Sequence, residues 1–317
     1  MLQHSAYKIT TYMQSMICLL SQNVVFSEAS SLLKELLNIS LSAKQCQRVS
    51  QWYGDQINPI INANQIEFIP QLSPPKKDDI CYVMMDGCML YTRDDGWKEN
   101  KLARIFYDRE NIKIQENRNE IVNTVYVSHL GGIDKFLPKL ERHTALLKTP
   151  KVFIADGAKW IWNWVDDSYP GCVQILDYYH AVEKLEAFAK IQFSDQIKRK
   201  AWMAIQKELL LIDRVEDVIL NIRKTRSVNT SAKELKMKVI RYYVEHEDRM
   251  QYKTFRDKGL LIGSGPMEAA HRNVTQQRMK LSGQKWSIKG ANAIANLRCY
   301  QKSNKWGIIN DLIKIAA

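Results

Sequence analysis

The sequence predicts an α/β protein: a mixed five-stranded sheet flanked by helices, with an all-helical insertion and a helical N-terminal region. Three observations carry this reading. Residues 151–185, KVFIADGAKWIWNWVDDSYPGCVQILDYYHAVEKL, alternate short apolar runs with helical stretches, the pattern of buried parallel strands joined by a crossover. Residues 80–129 contain three strand-like runs separated by turn residues. Residues 192–258 hold no strand-like run and no glycine or proline, and their Leu, Ile, Val, Met and Trp recur at helical spacing.

In chain order, residues 1–55 read as helical. Residues 27–37 have apolar positions at helical spacing, with Ser27 as a candidate N-cap. Residues 38–41 break the pattern, and residues 42–54 form a second helix, capped by Ser42 and ended by Gly54. Two short helices so spaced fit a helix-turn-helix, whose second helix presents Lys44, Gln45, Gln47 and Arg48 near its start. A helical hairpin that only packs fits equally. Residues 56–79 read as a linker, broken by Pro59, Pro70, Pro74 and Pro75.

The core begins near Ile80. Residues 80–85 are a strand that ends on Asp86-Gly87. Residues 92–96 turn, residues 97–106 return, and residues 121–129 supply a third strand, an antiparallel meander with tight connections. Residues 133–147 are a helix leading into the strand Lys151–Ala155, which ends on Asp156-Gly157. A helix with Trp160, Trp162 and Trp164 follows, then the strand Val173–Leu176, ending on Asp177 with His180 three residues on. The order β-β-β-α-β-α-β-α matches the ribonuclease H-like fold. The core's first part thus spans residues 80–191, the insertion 192–258, and the second part 259–317. In that last part Pro266 opens a helix that carries Glu268, His271 and Arg272 on one face. Residues 281–317 mix Lys and Arg with Trp286, Tyr300 and Trp306, which suits a phosphate backbone or a cap on the core.

Composition narrows the function classes. A net charge of +12 favours a polyanionic partner, nucleic acid above all, or serves solubility. The six cysteines form no C-x-x-C pair, so neither a zinc site nor a disulfide framework is indicated, and reduced thiols of a cytoplasmic chain are expected. No apolar run is long enough to span a bilayer, and the start, MLQHSAYKITTY, lacks the pattern of a signal peptide.

Carboxylates at the ends of neighbouring strands repel one another unless a cation lies between them, and Mg²⁺ prefers such hard oxygens. Asp156 and Asp177 also suit helix capping, and Glu268 suits the first turn of a helix through its dipole. His180 and His271 read as orienting groups, phosphate contacts or core-facing histidines rather than Mg²⁺ ligands.

With Asp86, Asp156 and Glu268 in place, the chain resembles the DDE transposases of bacterial insertion sequences. The segments MMDGCMLYTRDDGWKENKLARIF, VFIADGAKWIWNWV, ILDYYHAVEKL and GSGPMEAAHRNVTQQRMKLSGQKWS are similar to those of the Kra-type (ISKra) family, related to the Mutator-like transposases. Four separated motifs in the right order make the resemblance specific, over residues 80–300. It implies Asp86, Asp156 and Glu268 as catalytic and metal-binding acids, with Asp86 bridging two Mg²⁺ (or Mn²⁺) ions. It also implies Asp177 and His180 as a supporting D-x-x-H pair.

The chemistry expected is phosphoryl transfer, with two divalent ions stabilising the attacking and leaving oxygens. The partner expected is double-stranded DNA, both transposon ends and target, bound by a homo-oligomer in the bacterial nucleoid. Lys44, Arg48, Arg272, Arg278 and Lys280 are the candidate DNA contacts, and His271 a further support. Two alternatives stand beside this: a structure-specific nuclease of the same fold, and a truncated or domesticated transposase that only binds DNA.

Overall fold

The computed structural model describes residues 9–63, 65–116 and 118–316. The expectations for residues 1–8, helix and no signal peptide, lie outside the described residues. The chain is mixed α/β, and it divides into two compact units, residues 1–150 with 266–317, and residues 151–265.

The first unit opens with α1 (Thr11–Asn23), α2 (Phe26–Leu37) and α3 (Ala43–Asn62). Ser42 caps α3 in a full capping box with Gln45, as its position before an apolar-periodic run requires. Two details differ from the sequence reading. Val25 is the N-cap of α2, so Ser27 lies inside the helix. Gly54 does not end α3, which runs on through Pro59 to Asn62, taking in the start of the expected linker. The reason lies in packing: a Cβ at Gly54 would meet the Ala293 carbonyl oxygen at 2.1 Å. The glycine therefore serves a close helix crossing rather than a stop.

Strand β1 (Cys81–Thr92) pairs antiparallel with β2 (Gly96–Tyr107). A two-stranded hairpin, β3 (Asn111–Gln115) and β4 (Arg118–Ile121), comes next, and β5 (Val125–Leu130) then pairs antiparallel with β2. The meander order β5-β2-β1 is as expected, but the hairpin replaces the tight second connection. Asp86 is not at a strand end: β1 continues six residues past it, to Thr92. It stands where burial changes, from the fully buried residues 81–85 to the half-open residues 86–88. Helix α4 (Ile133–Thr144) then packs near β5.

The second unit carries β6 (Lys151–Ala155), α5 (Lys159–Ser168) and β7 (Val173–Leu176), with β6 and β7 parallel and in register from Val152–Val173 to Ala155–Leu176. Helices α6 (Tyr178–Gln192), α7 (Gln196–Leu211), α8 (Val215–Lys224), α9 (Thr230–Glu245) and α10 (Tyr252–Asp257) follow. No strand interrupts residues 192–258 among the described residues, so the helical reading of the insertion holds.

The chain returns to the first unit through α11 (Gly265–Ala270), a π-helical turn (His271–Gln276) and α12 (Gln277–Met279). Helix α13 (Ile288–Lys302) is buried along residues 290–300, and α14 (Trp306–Ala316) closes the chain. Of the two readings of residues 281–317, α13 takes the core one: Ile294, Leu297 and Tyr300 join α1, α2 and α3 in one apolar cluster.

Candidate active site

The predicted acids and their histidines divide between the units. Asp86, Glu268 and His271 belong to the first; Asp156, Asp177 and His180 belong to the second.

In the first unit the helical segment that carries Glu268 and His271 is fastened onto β2, the strand paired with the one bearing Asp86. Arg104, on β2, donates from Nη1 to the Pro266 carbonyl at 2.8 Å. Further along, Asn100 donates to Thr275 Oγ1 at 3.2 Å and accepts from Ser128 at 3.0 Å, a buried polar chain from β5 through β2 to the π turn. Between these ties, His271 Nε2 lies 3.2 Å from Asp86 Oδ2. Neither ring nitrogen makes a well-aligned hydrogen bond, and the contact is an ion pair when the imidazole is protonated. Burial opposes the imidazolium, but Asp86 and Cys88 outweigh it and push the His271 pKa up to about 9. The other Asp86 oxygen accepts the Gly87 N–H at 2.7 Å. Glu268, one turn before His271, is exposed.

The π turn has a specific support. A helix that widens to i→i+5 bonding displaces carbonyls from their usual partners. Arg298, buried on α13, donates to the carbonyls of Asn273 and Val274, and to Gln22 of α1. The sequence places Arg298 in the basic stretch 281–317, which suits a phosphate backbone or a cap on the core. Its role was invisible because the π turn itself leaves no composition signal.

In the second unit Asp156 and Asp177 follow directly on paired strand residues, Ala155 and Leu176. Asp156 Oδ1 accepts the Ala158 N–H at 3.0 Å, and its carbonyl accepts the Trp162 indole at 2.8 Å. Asp177 is wholly buried. Its Oδ1 caps α6 through the Tyr179 N–H at 2.7 Å, and its Oδ2 accepts the Ser264 N–H at 3.1 Å. Both oxygens thus hold backbone, which fits support rather than metal binding. His180 is half-buried, with Nδ1 3.4 Å from Glu183. Tyr242, on α9, is not singled out by the sequence: a Cβ on Gly157 would meet its ring at 2.1 Å. Burial, then the charges of Asp156 and Asp177, push its phenol pKa up. One tyrosine in a helical run carries no signal of such a place.

The candidate DNA contacts separate by exposure. Lys44 and Arg48 lie one turn apart on the exposed face of α3, and Arg272 and Lys280 are also exposed. Arg278 is a correction: it is 1% exposed, donates to the Ser21 carbonyl at 2.9 Å and stacks on Phe26 and Trp286. It is a packed residue, not an exposed cation of the surface.

All six cysteines are free. Among the described residues no group of three or more His, Cys, Asp or Glu side chains is gathered for a metal ion, and no helix is long and apolar enough to cross a membrane. No protein-family model matches the chain, and a search of curated proteins found no match.

Proposed function

We propose that the chain is a metal-dependent DNA transposase, with a ribonuclease H-like core, that cuts and joins strands at the ends of its own element. The observation that carries the reading is the Asp86–His271 contact, which ties the Glu268 helix to the Asp86 strand across most of the sequence. Two aspartates at the ends of paired parallel strands, Asp156 and Asp177, support it from the second unit.

The donors suit a hard divalent cation. Asp86 is partly exposed and oriented from two sides, Glu268 is exposed in its helix's first turn, and Asp156 is half-buried. Asp86 and Glu268 of the first unit, and Asp156 of the second, are the proposed ligands for Mg²⁺ or Mn²⁺, which when bound would supply charge stabilisation to the transferring phosphoryl group. The chain's own groups do the rest. His271 balances the Asp86 charge and fixes its carboxylate. Asp177 holds the loop that leads to Glu268. Lys44, Arg48, Arg272 and Lys280 present cations to duplex DNA, on which copies of the chain assemble.

The test is incubation with duplex DNA carrying the element's ends, with Mg²⁺, reading nicked and joined products. Asp86→Asn and Glu268→Gln should bind the duplex as the parent does, since affinity comes from cations on phosphates. Cleavage should fall by orders of magnitude, because the metal contribution is several kcal/mol. Parent-rate cleavage by Asp86→Asn would sink the reading. Cleavage without joining would leave a nuclease.

A further inference from the structure

A second feature of the first unit is not used by the carboxylates. A cavity of about 220 Å³ opens where the start of α2, the first half of α3, the β1–β2 turn and residues 284–286 meet. Its polar lining comes from Arg93, Lys285, Arg278, Gln47, Gln51 and Gln284, and no carboxylate lines it among the described residues. The walls are fixed. Trp286 N–H donates to the Tyr91 carbonyl at 3.3 Å, the Arg93 N–H donates to the Trp286 carbonyl at 2.8 Å, and the Trp286 indole donates to the Met279 carbonyl at 2.9 Å.

Beneath this cavity lies a charge imbalance. Arg278 and Arg298 are both 1% exposed, and neither forms an ion pair with a carboxylate among the described residues. Buried cations without counter-charge are costly even when carbonyls take their protons. Burial first, then the charge of Arg298, lowers the Arg278 pKa to about 10, while Glu28, exposed in the first turn of α2, raises it. Arg278 donates from Nε to Ser21, and in the amide orientation that satisfies both its ends Gln284 accepts from Nη1 at 3.1 Å. Nη2 has no partner. Val25 and Phe26, at the start of α2, also line the cavity, and no side chain caps that helix, so the positive end of its dipole adds to the same field.

We propose that this cavity binds a phosphate group, with Arg93 and Lys285 in contact with the anion and Arg278 as the buried counter-charge beneath it. The phosphate comes either from a nucleic-acid strand or from free phosphate. Gln47 and Gln51 belong to α3, whose exposed face also presents Lys44 and Arg48, so a seated strand would continue along cations already there. The inference does not rest on the metal chemistry proposed above.

The experiment uses the full chain without divalent metal. Arg93→Gln and Lys285→Gln remove exposed charges and leave the packed Arg278 alone; Lys233→Gln, exposed in the second unit, removes the same charge elsewhere. Binding of a labelled DNA duplex is followed by anisotropy across a salt series. For a strand phosphate, each cavity variant lowers the slope of log K against log salt by about 1, and Lys233→Gln does not. In the second arm, thermal unfolding is compared in millimolar inorganic phosphate and in chloride of matched ionic strength. For free phosphate, the parent gains unfolding temperature and the Arg93→Gln/Lys285→Gln double variant does not, with duplex binding unchanged. If the cavity variants match Lys233→Gln in the first arm and the parent shows no phosphate-specific gain in the second, the site is overturned. Neither arm reads cleavage, so failure of the transposase reading leaves this result intact.

Discussion

Asp156 and Asp177 look alike in sequence, each closing a short apolar strand, and the structure gives them different work. Asp177 is buried, with each oxygen facing a backbone N–H, whereas Asp156 is half-buried with one oxygen on Ala158. Asparagine at position 177 turns an NH₂ toward one of those N–H groups, leaving a buried donor without an acceptor. The expected loss is about 1–3 kcal/mol in urea unfolding. Asp156→Asn can keep its amide oxygen on the Ala158 N–H at a half-buried site, so it should unfold closer to the parent midpoint. Equal stability for the two variants would remove the support role from Asp177. Position 157 is tighter still. A methyl there falls 2.1 Å from the Tyr242 ring, so Gly157→Ala must displace that ring, and a loss of about 1–3 kcal/mol is expected.

At the scale of elements, what the sequence made legible was periodicity and capping, and what it hid was packing. The N-cap at Ser42, the strands Lys151–Ala155 and Val173–Leu176, and the strand-free insertion are local signals and are readable as such. The far end of α3 was not, because the Gly54 signal for a stop is overridden by the crossing with Ala293. The π turn was not, because Arg298, which bonds its carbonyls, is distant in sequence and buried. Arg298→Leu should therefore act on the site as well as on stability. It strips the Asn273, Val274 and Gln22 carbonyls of their donor, each an unsatisfied group worth about 1–3 kcal/mol. Hydrogen exchange should quicken first at residues 271–276. Uniform exchange across the unit would mean that Arg298 only fills the core.

At the scale of the whole molecule, net charge and the kinds of site residue are legible in the sequence, while the pH behaviour depends on burial that only the fold supplies. Burial, then the charges of Lys139 and Lys135, push the His129 pKa down to about 4, with Asp134 opposing. Burial likewise pushes His143 down to about 4, against its bond to the Lys139 carbonyl and with the Lys139 charge adding to the fall. An unfolded histidine titrates near 6.5. Between pH 6.5 and 4 the unfolded chain therefore binds more protons at both positions, and stability falls as pH falls. Above 6.5 both are neutral in either state, and their contribution is flat. His271 has the opposite sign: its raised pKa adds stability below 6.5 that is lost as pH rises through about 9. Urea unfolding at pH 6.5 and at pH 5 isolates one term when the parent is set beside His129→Asn. The parent should lose about 1.5 kcal/mol more than the variant over that interval, since one proton taken up only by the unfolded chain is worth about 1.4 kcal/mol per pH unit. His271 and His143 are common to both proteins and cancel in the comparison. Parallel losses would mean that His129 stays open to protons in the folded chain, and that the end of β5 admits water.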